Sequence, residues 1–268
     1  MYKGFRVIDS HCHIYPQKIA EKAVHGTDNF YGVVSVCKGT VEDLYRASDS
    51  FDGFLVHSVA TTPHQVRSIN KFISEEVKSH NNLIGFGTLH CDSEDIAGDI
   101  DDLLSLNLKG VKMHPDIQKF KLDDDNAFKI FAICEQKKLP VLLHTGDKRY
   151  DYSNPNRLIP VLETFKNLTV IGAHFGGYSV WETAYKALYK YDNFYVDCSS
   201  SLPYISDELA VKMINKYGTD KVLFGTDYPM HDPKQELEHF LSLGYSKEEY
   251  QNMLANNLEN ILKNNGHN

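Results

Sequence analysis

The sequence predicts an α/β chain folded as a (β/α)8 barrel, and three observations predict it. Short apolar runs alternate with helix-length amphipathic stretches about eight times along the chain. The runs are apolar throughout, as strands of a parallel sheet are when helices cover one face and side chains fill the other. No Gly-X-Gly-X-X-Gly follows the first run, so an open nucleotide-binding sheet is the weaker arrangement.

Taken in order, residues 5–9 form the first strand and residues 17–25 a helix. Residues 31–36 are apolar but fall between elements, and they belong to a long first loop. Val41–Ala47 reads as a helix. GFLVHS at 53–58 is the second strand, followed by a helix over 63–80. Pro63 suits the first turn of that helix, after Thr62 as cap. LIGFGTL at 83–89 and KGVKM at 109–113 are strands three and four, with helices over 96–106 and 126–138. PVLLH at 140–144 and LTVIGA at 168–173 are strands five and six, with helices over 157–165 and 180–189. Residues 194–197 are strand seven, before a helix over 207–217, and KVLFGT at 221–226 is strand eight. Helices over 233–243, 247–255 and 257–263 close the chain. The end, with Asn264, Asn265 and Asn268, is expected to fray. No linker or low-complexity tract interrupts the pattern, so residues 1–268 are read as one domain.

A length of 268 residues accommodates such a barrel, and 42% hydrophobic with 24% charged residues is ordinary for a globular chain. The net charge of −8 argues against nucleic acid as a partner, because phosphate binding needs a basic face. Five scattered cysteines form neither a disulfide framework nor a zinc ribbon. The chain begins almost directly with a strand and has no apolar run long enough for a bilayer. A cytoplasmic protein without membrane contacts is expected, with a homodimer as its reasonable assembly.

Barrel active sites gather at the C-terminal ends of the strands. Strand one ends at His11 and His13. Residues two apart on a strand share a face, so the two imidazoles point together and Cys12 points away. Strand four carries Lys112 and His114 on one face. Strands five, six and eight end at His144, His174 and Asp227. Taken singly, each histidine is most simply a hydrogen-bonded core residue, and Asp227 a turn residue before Tyr-Pro. Their convergence on one mouth favours chemistry. Imidazoles with a carboxylate suit zinc or a similar divalent ion, which makes its water acidic near neutral pH. Asp227 beside such an ion can accept a proton.

The segments His11-Cys12-His13, Gly110-Val111-Lys112-Met113-His114-Pro115, His144-Thr145-Gly146-Asp147, Ala173-His174-Phe175-Gly176-Gly177 and Gly225-Thr226-Asp227-Tyr228-Pro229 together resemble the amidohydrolase superfamily. Within it, the chain is most similar to the amidohydrolase-2 branch, which includes aminocarboxymuconate-semialdehyde decarboxylase-like enzymes. The resemblance runs from the first strand to the last. It implies a TIM barrel of the metallo-dependent hydrolase type, with one divalent ion held by His11, His13, His144 and Asp227. Zinc is the expected ion and manganese the alternative. The resemblance also makes His174 a general acid/base, or a ligand if a second ion binds. Lys112 is then either a free amine that meets the substrate or a carboxylated bridge between two ions.

Several residues stand apart from that pattern. Asp9 has the parity of His11 and His13 and either supports a ligand imidazole from behind or is a buried structural acid. His114 and Arg149 are candidates for substrate contact, Arg149 as a bidentate partner for an anion. His57 and His90 end strands two and three and either line the pocket or pack in the core. Trp181 is expected to pack the sixth helix on the barrel, and Asp123-Asp124-Asp125 to start a helix. The expected activity is metal-dependent hydrolysis of a small-molecule amide, lactone or ester. The rivals are non-oxidative decarboxylation of an unsaturated or aromatic acid, and a non-catalytic barrel that binds a metal or ligand.

Overall fold

In the computed structural model, which describes residues 1–266, parallel strands follow one another in sequence order. β1 (Ile8–His13) pairs with β2 (Gly53–His57). β2 pairs with β3, which runs over Leu83–Gly85 and resumes as Gly87–Thr88 after a break at Phe86. β4 (Val111–Met113), β5 (Val141–Leu143), β6 (Val170–Gly172), β7 (Phe194–Asp197) and β8 (Val222–Leu223) continue the order. The last strand then returns to the first. Ser10 N–H donates to the Phe224 carbonyl at 2.9 Å, and His13 N–H to the Tyr228 carbonyl at 2.7 Å. The ring of strands is thereby closed as a (β/α)8 barrel.

Alternation along each strand sorts the side chains into two layers. Phe54, Val56, Val111, Met113, Val141, Leu143, Val170 and Val196 face the surrounding helices. Ile8, Leu55, Phe86, Leu142, Ile171 and Leu223 fill the barrel, and Leu258 and Ile261 of the last helix, Asn257–Asn264, join them. Strand pairing places Lys112, Leu142 and Ile171 side by side in this inner layer. Two residues further on, the same faces carry His57, His114 and His144. The apolar filling therefore gives way to imidazoles at the C-terminal mouth. The break in β3 comes from Phe86 turning inward past Gly110. A Cβ at Gly110 would stand 2.5 Å from the Phe86 ring, so only glycine fits there.

The helices follow their sequence signals closely. Asp95 and Ser206 cap Ile96–Ser105 and Asp207–Tyr217 with side-chain oxygens, and Ser246 with Glu249 forms a capping box on Lys247–Gln251. The structure departs from expectation in four places. β1 extends to His13, because pairing with β2 continues through a register slip between Asp9 and Cys12. The first helix spans Ala20–Tyr31 rather than 17–25, ending on Gly32 in the left-handed region at φ 70°. A short helix, Pro115–Gln118, follows β4 where a loop was expected. Asn264 and Asn265 do not fray: Asn265 is buried, with Nδ2 donating to the Ile261 carbonyl at 2.8 Å, while Asn268 lies outside the described residues. Among the described residues no helix is long and apolar enough to cross a membrane.

Asp9 closes the barrel from within. Its carboxylate is buried and accepts from Thr226 N–H at 3.0 Å, Thr226 Oγ at 2.5 Å and His11 N–H at 3.1 Å. Burial pushes its pKa up to about 6 against these hydrogen bonds, so it is ionised at neutral pH. It is thus a structural acid joining the first strand to the segment after the last. Asp9→Ala leaves two buried N–H groups and a hydroxyl without an acceptor. A loss of about 2–4 kcal/mol of unfolding free energy is expected, read from the urea midpoint at pH 7. A change below about 0.5 kcal/mol would refute this role.

Candidate active site

The mouth of the barrel opens into a cavity of about 750 Å3. Its floor holds His11, His13, Lys112, His114, His144, His174 and Asp227, and all seven side chains predicted at strand ends meet there. Its walls come from the helix Ala20–Tyr31 and from residues 58–72, with Ile19, Phe30, Ile69 and Phe72 supplying apolar surface. Lys22 and Lys112 bring the cationic groups of the lining, and no arginine lines it among the described residues.

At the centre, His11 Nε2 and His13 Nε2 lie 3.3 Å apart, and Asp227 Oδ1 lies 3.4 Å from each. His11 Nδ1–H donates to Asp197 Oδ2 at 2.8 Å, which leaves Nε2 as a bare lone pair. Burial, then the charge of Lys112, lowers the His11 pKa to about 4, so the ring is neutral at pH 7. Burial also raises the cost of charge on Asp227, but the facing imidazoles outweigh it and hold the carboxyl well below its usual range. Asp227 Oδ2 is fixed by the Ser200 hydroxyl at 2.5 Å, which frees Oδ1 for the triangle. The three donor atoms, with edges of 3.3, 3.4 and 3.4 Å, match one face of a tetrahedron. Ligands at 2.0–2.1 Å from a zinc-type ion stand about 3.4 Å apart. The donors present therefore fit a divalent ion. Lys112, 1% exposed, sets Nζ 3.1 Å from His11 Nε2, and burial lowers its pKa to about 8.

His144 packs against His174 on the same floor. Its Nδ1 faces His174 Nε2 at 3.0 Å, and its Nε2 faces the Gly146 carbonyl at 3.0 Å. His174 Nδ1 faces the Ser199 carbonyl at 2.8 Å. These three contacts need three protons, and two neutral rings carry two. With the two carbonyls taking those protons, the facing nitrogens between the rings are left to accept a further one. His174 and Asp227 both sit at φ 60°, a backbone region that costs a non-glycine residue about 1–3 kcal/mol. That strain aims the two side chains across the mouth from the ends of β6 and β8.

Two further residues support this floor. Asp197, at the end of β7, holds His11 and also accepts from His174 N–H at 3.0 Å. Tyr31 reaches down from the first helix, its hydroxyl 2.7 Å from His114 Nε2 and 3.5 Å from His144 Nε2. His114 Nδ1 accepts from Ile117 N–H at 3.3 Å, so Nε2 bears the proton and donates to the Tyr31 oxygen. The phenol proton is then free to point into the site. Burial keeps Tyr31 protonated, well above its usual pKa. Asp197 was signalled by its place at a strand end, whereas Tyr31, inside a crossover, carried no such mark.

Arg149 does not meet the cavity, which corrects its expected contact with an anionic substrate. Nε and Nη2 donate to Asp147, and Nη1 donates to the Phe30 carbonyl. Its guanidinium lies 4.8 Å from the Phe30 ring and 5.2 Å from Tyr31. With its donors so engaged, Arg149 braces the first helix over the mouth. Trp181 begins the helix Trp181–Leu188 and donates to Ser201 Oγ at 3.2 Å. His90 accepts from Asp92 N–H at 3.1 Å and lies outside the cavity lining.

No curated protein matches this sequence. Among solved structures, an uncharacterized TIM-barrel protein from Bordetella bronchiseptica is 19% identical, with a TM-score of 0.79 over 98% of this chain and 100% of that one. A 2,6-dihydroxybenzoate decarboxylase bound to 2,6-dihydroxybenzoate is 13% identical, with a TM-score of 0.76 over 97% and 99%. A dihydroxybenzoic acid decarboxylase from Polaromonas, with bound manganese and the inhibitor 2-nitroresorcinol, is 13% identical, with a TM-score of 0.71 over 97% of each. At these identities the likeness shows the shared barrel. The amidohydrolase family model matches residues 8–265, nearly the whole chain. With the strand-end histidines and Asp227 gathered on one floor, the chain belongs to the amidohydrolase family and is an enzyme of that superfamily.

Proposed function

We propose that this enzyme hydrolyses a small-molecule amide, lactone or ester with the help of one divalent ion, zinc in the first place. The observation that carries the reading is the triangle of donor atoms, His11 Nε2, His13 Nε2 and Asp227 Oδ1, at the cavity floor. A divalent ion held there supplies Lewis acidity toward a carbonyl oxygen and acidifies water near pH 7. The residues around it do the rest. The His144–His174 pair accepts the proton of the attacking water at the nitrogen between the rings. It returns that proton to the leaving nitrogen or oxygen as the carbon–heteroatom bond breaks, so proton count balances over the cycle. Tyr31, oriented by His114, donates a hydrogen bond from its phenol to the oxyanion as charge develops. The ammonium of Lys112 attracts a carboxylate or another electron-rich oxygen of the substrate.

Decarboxylation is the second reading, prompted by the decarboxylases that share the fold. The cavity favours hydrolysis. Arginine is the residue best suited to grip a carboxylate in two places, and the described lining has none.

Hydrolysis is tested by supplying zinc- or manganese-loaded protein with panels of lactones, esters, amides and aromatic acids. Acid release from the first three is expected, without carbon dioxide from the last. Carbon dioxide release without hydrolysis would overturn the reading. His174→Asn should lower kcat by about 10²–10⁴ while metal content holds, and Tyr31→Phe should lower kcat more than it changes KM. Full activity in His174→Asn would remove it from the mechanism.

Metal content has its own pH signature. A ligand imidazole must be free of its proton, and His11 stays neutral down to about pH 4, well below the ordinary value of 6.5. One ion per chain should survive dialysis at pH 5.5 and be lost as the pH nears 4, as read by elemental mass spectrometry. Two ions per chain would instead favour a carboxylated Lys112. Loss already at pH 6.5 would show that His11 titrates normally.

A further inference from the structure

Beyond the floor the cavity continues as a cleft between two helices. One wall is the helix Ala20–Tyr31, which lines the cavity along nearly its whole length. Its Ala23, Thr27, Phe30 and Tyr31 recur at helical spacing and form one stripe on the cleft. The facing wall is the helix Val66–Ser79. Its Ser68, Ile69 and Phe72 line the cleft, while Val66, Asn70 and Ile73 are buried on its other side. The stripe of a surface helix ordinarily packs on a core. In Ala20–Tyr31 only Ala20 is buried, and Ile19, just before it, is 50% exposed. This helix turns its stripe to the cavity instead.

The hydroxyls of these walls are already engaged. Thr27 Oγ1 donates to the Ala23 carbonyl at 3.3 Å, Ser68 Oγ to the Gln65 carbonyl at 2.9 Å, and Ser58 Oγ to the Ile14 carbonyl. Thr61 Oγ1 donates to Gln65 Oε1 at 3.0 Å. Among the described residues of the walls Lys22 alone is charged, and it is exposed. A polar body in the cleft would leave its own donors and acceptors unmet, whereas hydrocarbon has none to leave. The cleft is continuous with the floor, so its occupant is part of the molecule that reacts there. We propose that the substrate is an amphiphile: an ester, lactone or amide whose carbonyl meets the floor and whose hydrocarbon chain lies between the two helices. From Ala23 to Tyr31 the helix rises about 12 Å. A chain that advances about 1.2 Å per bond, as extended backbone does, covers that distance with about ten carbons. The reacting end of this assignment rests on the hydrolytic reading, and the hydrocarbon cleft stands without it.

The experiment titrates zinc-loaded and metal-free protein with linear carboxylates from butyrate to dodecanoate, read by calorimetry. Affinity is expected to rise about two- to fourfold with each added methylene up to about ten carbons, and then to level off. Ile69→Asp and Ile19→Asp each place a charge in the cleft and should weaken decanoate binding at least about tenfold. Ile19 is half exposed, so its variant reports even if Ile69→Asp does not fold. Val34→Asp, at a side chain 85% exposed and outside the lining, should bind as the parent does. In parallel, the zinc-loaded parent receives esters of the same acyl lengths, and kcat/KM should rise over the same range. Affinity independent of chain length, or parental decanoate affinity in the cleft variants, would overturn the proposal. Hydrolysis of short esters would then still stand. Length-dependent binding without hydrolysis of any ester, lactone or amide would support the cleft and overturn the hydrolytic reading.

Discussion

The carboxylate of Asp197 is the contact on which the site depends. Oδ2 takes the Nδ1 proton of His11, and Oδ1 takes the backbone N–H of His174, the backbone N–H of Ser199 and the Ser199 hydroxyl. The ends of β1, β6 and β7 are thus tied to one buried anion. Its first consequence is the tautomer of His11, whose Nε2 is left without a proton and faces His13, Asp227 and Lys112. Its second is the sharp turn that holds His174 in the left-handed region. A neutral residue at this position would release both constraints together, because each needs a strong acceptor in a place water does not reach.

Burial then sets the charge state of the floor. Desolvation disfavours the imidazolium, and His11, His13, His57, His114 and His144 all have lowered pKa values with burial as the leading cause. A cluster of histidines that would repel one another when protonated is therefore a cluster of neutral donors at pH 7. The carboxyl of Asp227 stays ionised among them. Neutral nitrogens with one anionic oxygen form a set that a divalent cation completes and that a monovalent ammonium, such as Lys112, occupies less well.

Much of this was readable in the sequence because the barrel imposes a rule on it. Inner-layer residues recur at every second position, and the position after the last apolar one faces the mouth. Leu55 is followed by His57, Lys112 by His114 and Leu142 by His144 on the same faces. That rule located the histidines and Asp227 without any knowledge of the helices. It failed for residues delivered by crossovers. Tyr31 arrives at the end of a twelve-residue helix whose docking depends on Arg149, far away in sequence. Arg149 itself misled the reading because its partner, Asp147, is only two residues away on the same loop. No strand periodicity reveals a pairing of that kind. The frayed tail failed for a related reason, since burial of Asn265 depends on the distant Thr169 it reaches rather than on its own composition.

The same architecture couples stability to occupancy. His11 Nε2 and His13 Nε2 face each other across 3.3 Å, and Asp227 adds a third donor at 3.4 Å. Crowding these donors together is unfavourable in the protein alone and is relieved by a cation. The strained turns at His174, Ser200 and Asp227 add to the unfavourable side. What holds the arrangement in place is the apolar filling below it. The inner layer of Ile8, Leu55, Phe86, Leu142, Ile171 and Leu223, with the last helix packed against it, fixes the strands whose ends carry the donors. The ion thus binds donors already assembled by a core it does not touch. Its binding free energy therefore adds to the stability of the folded chain rather than being spent on assembling the site.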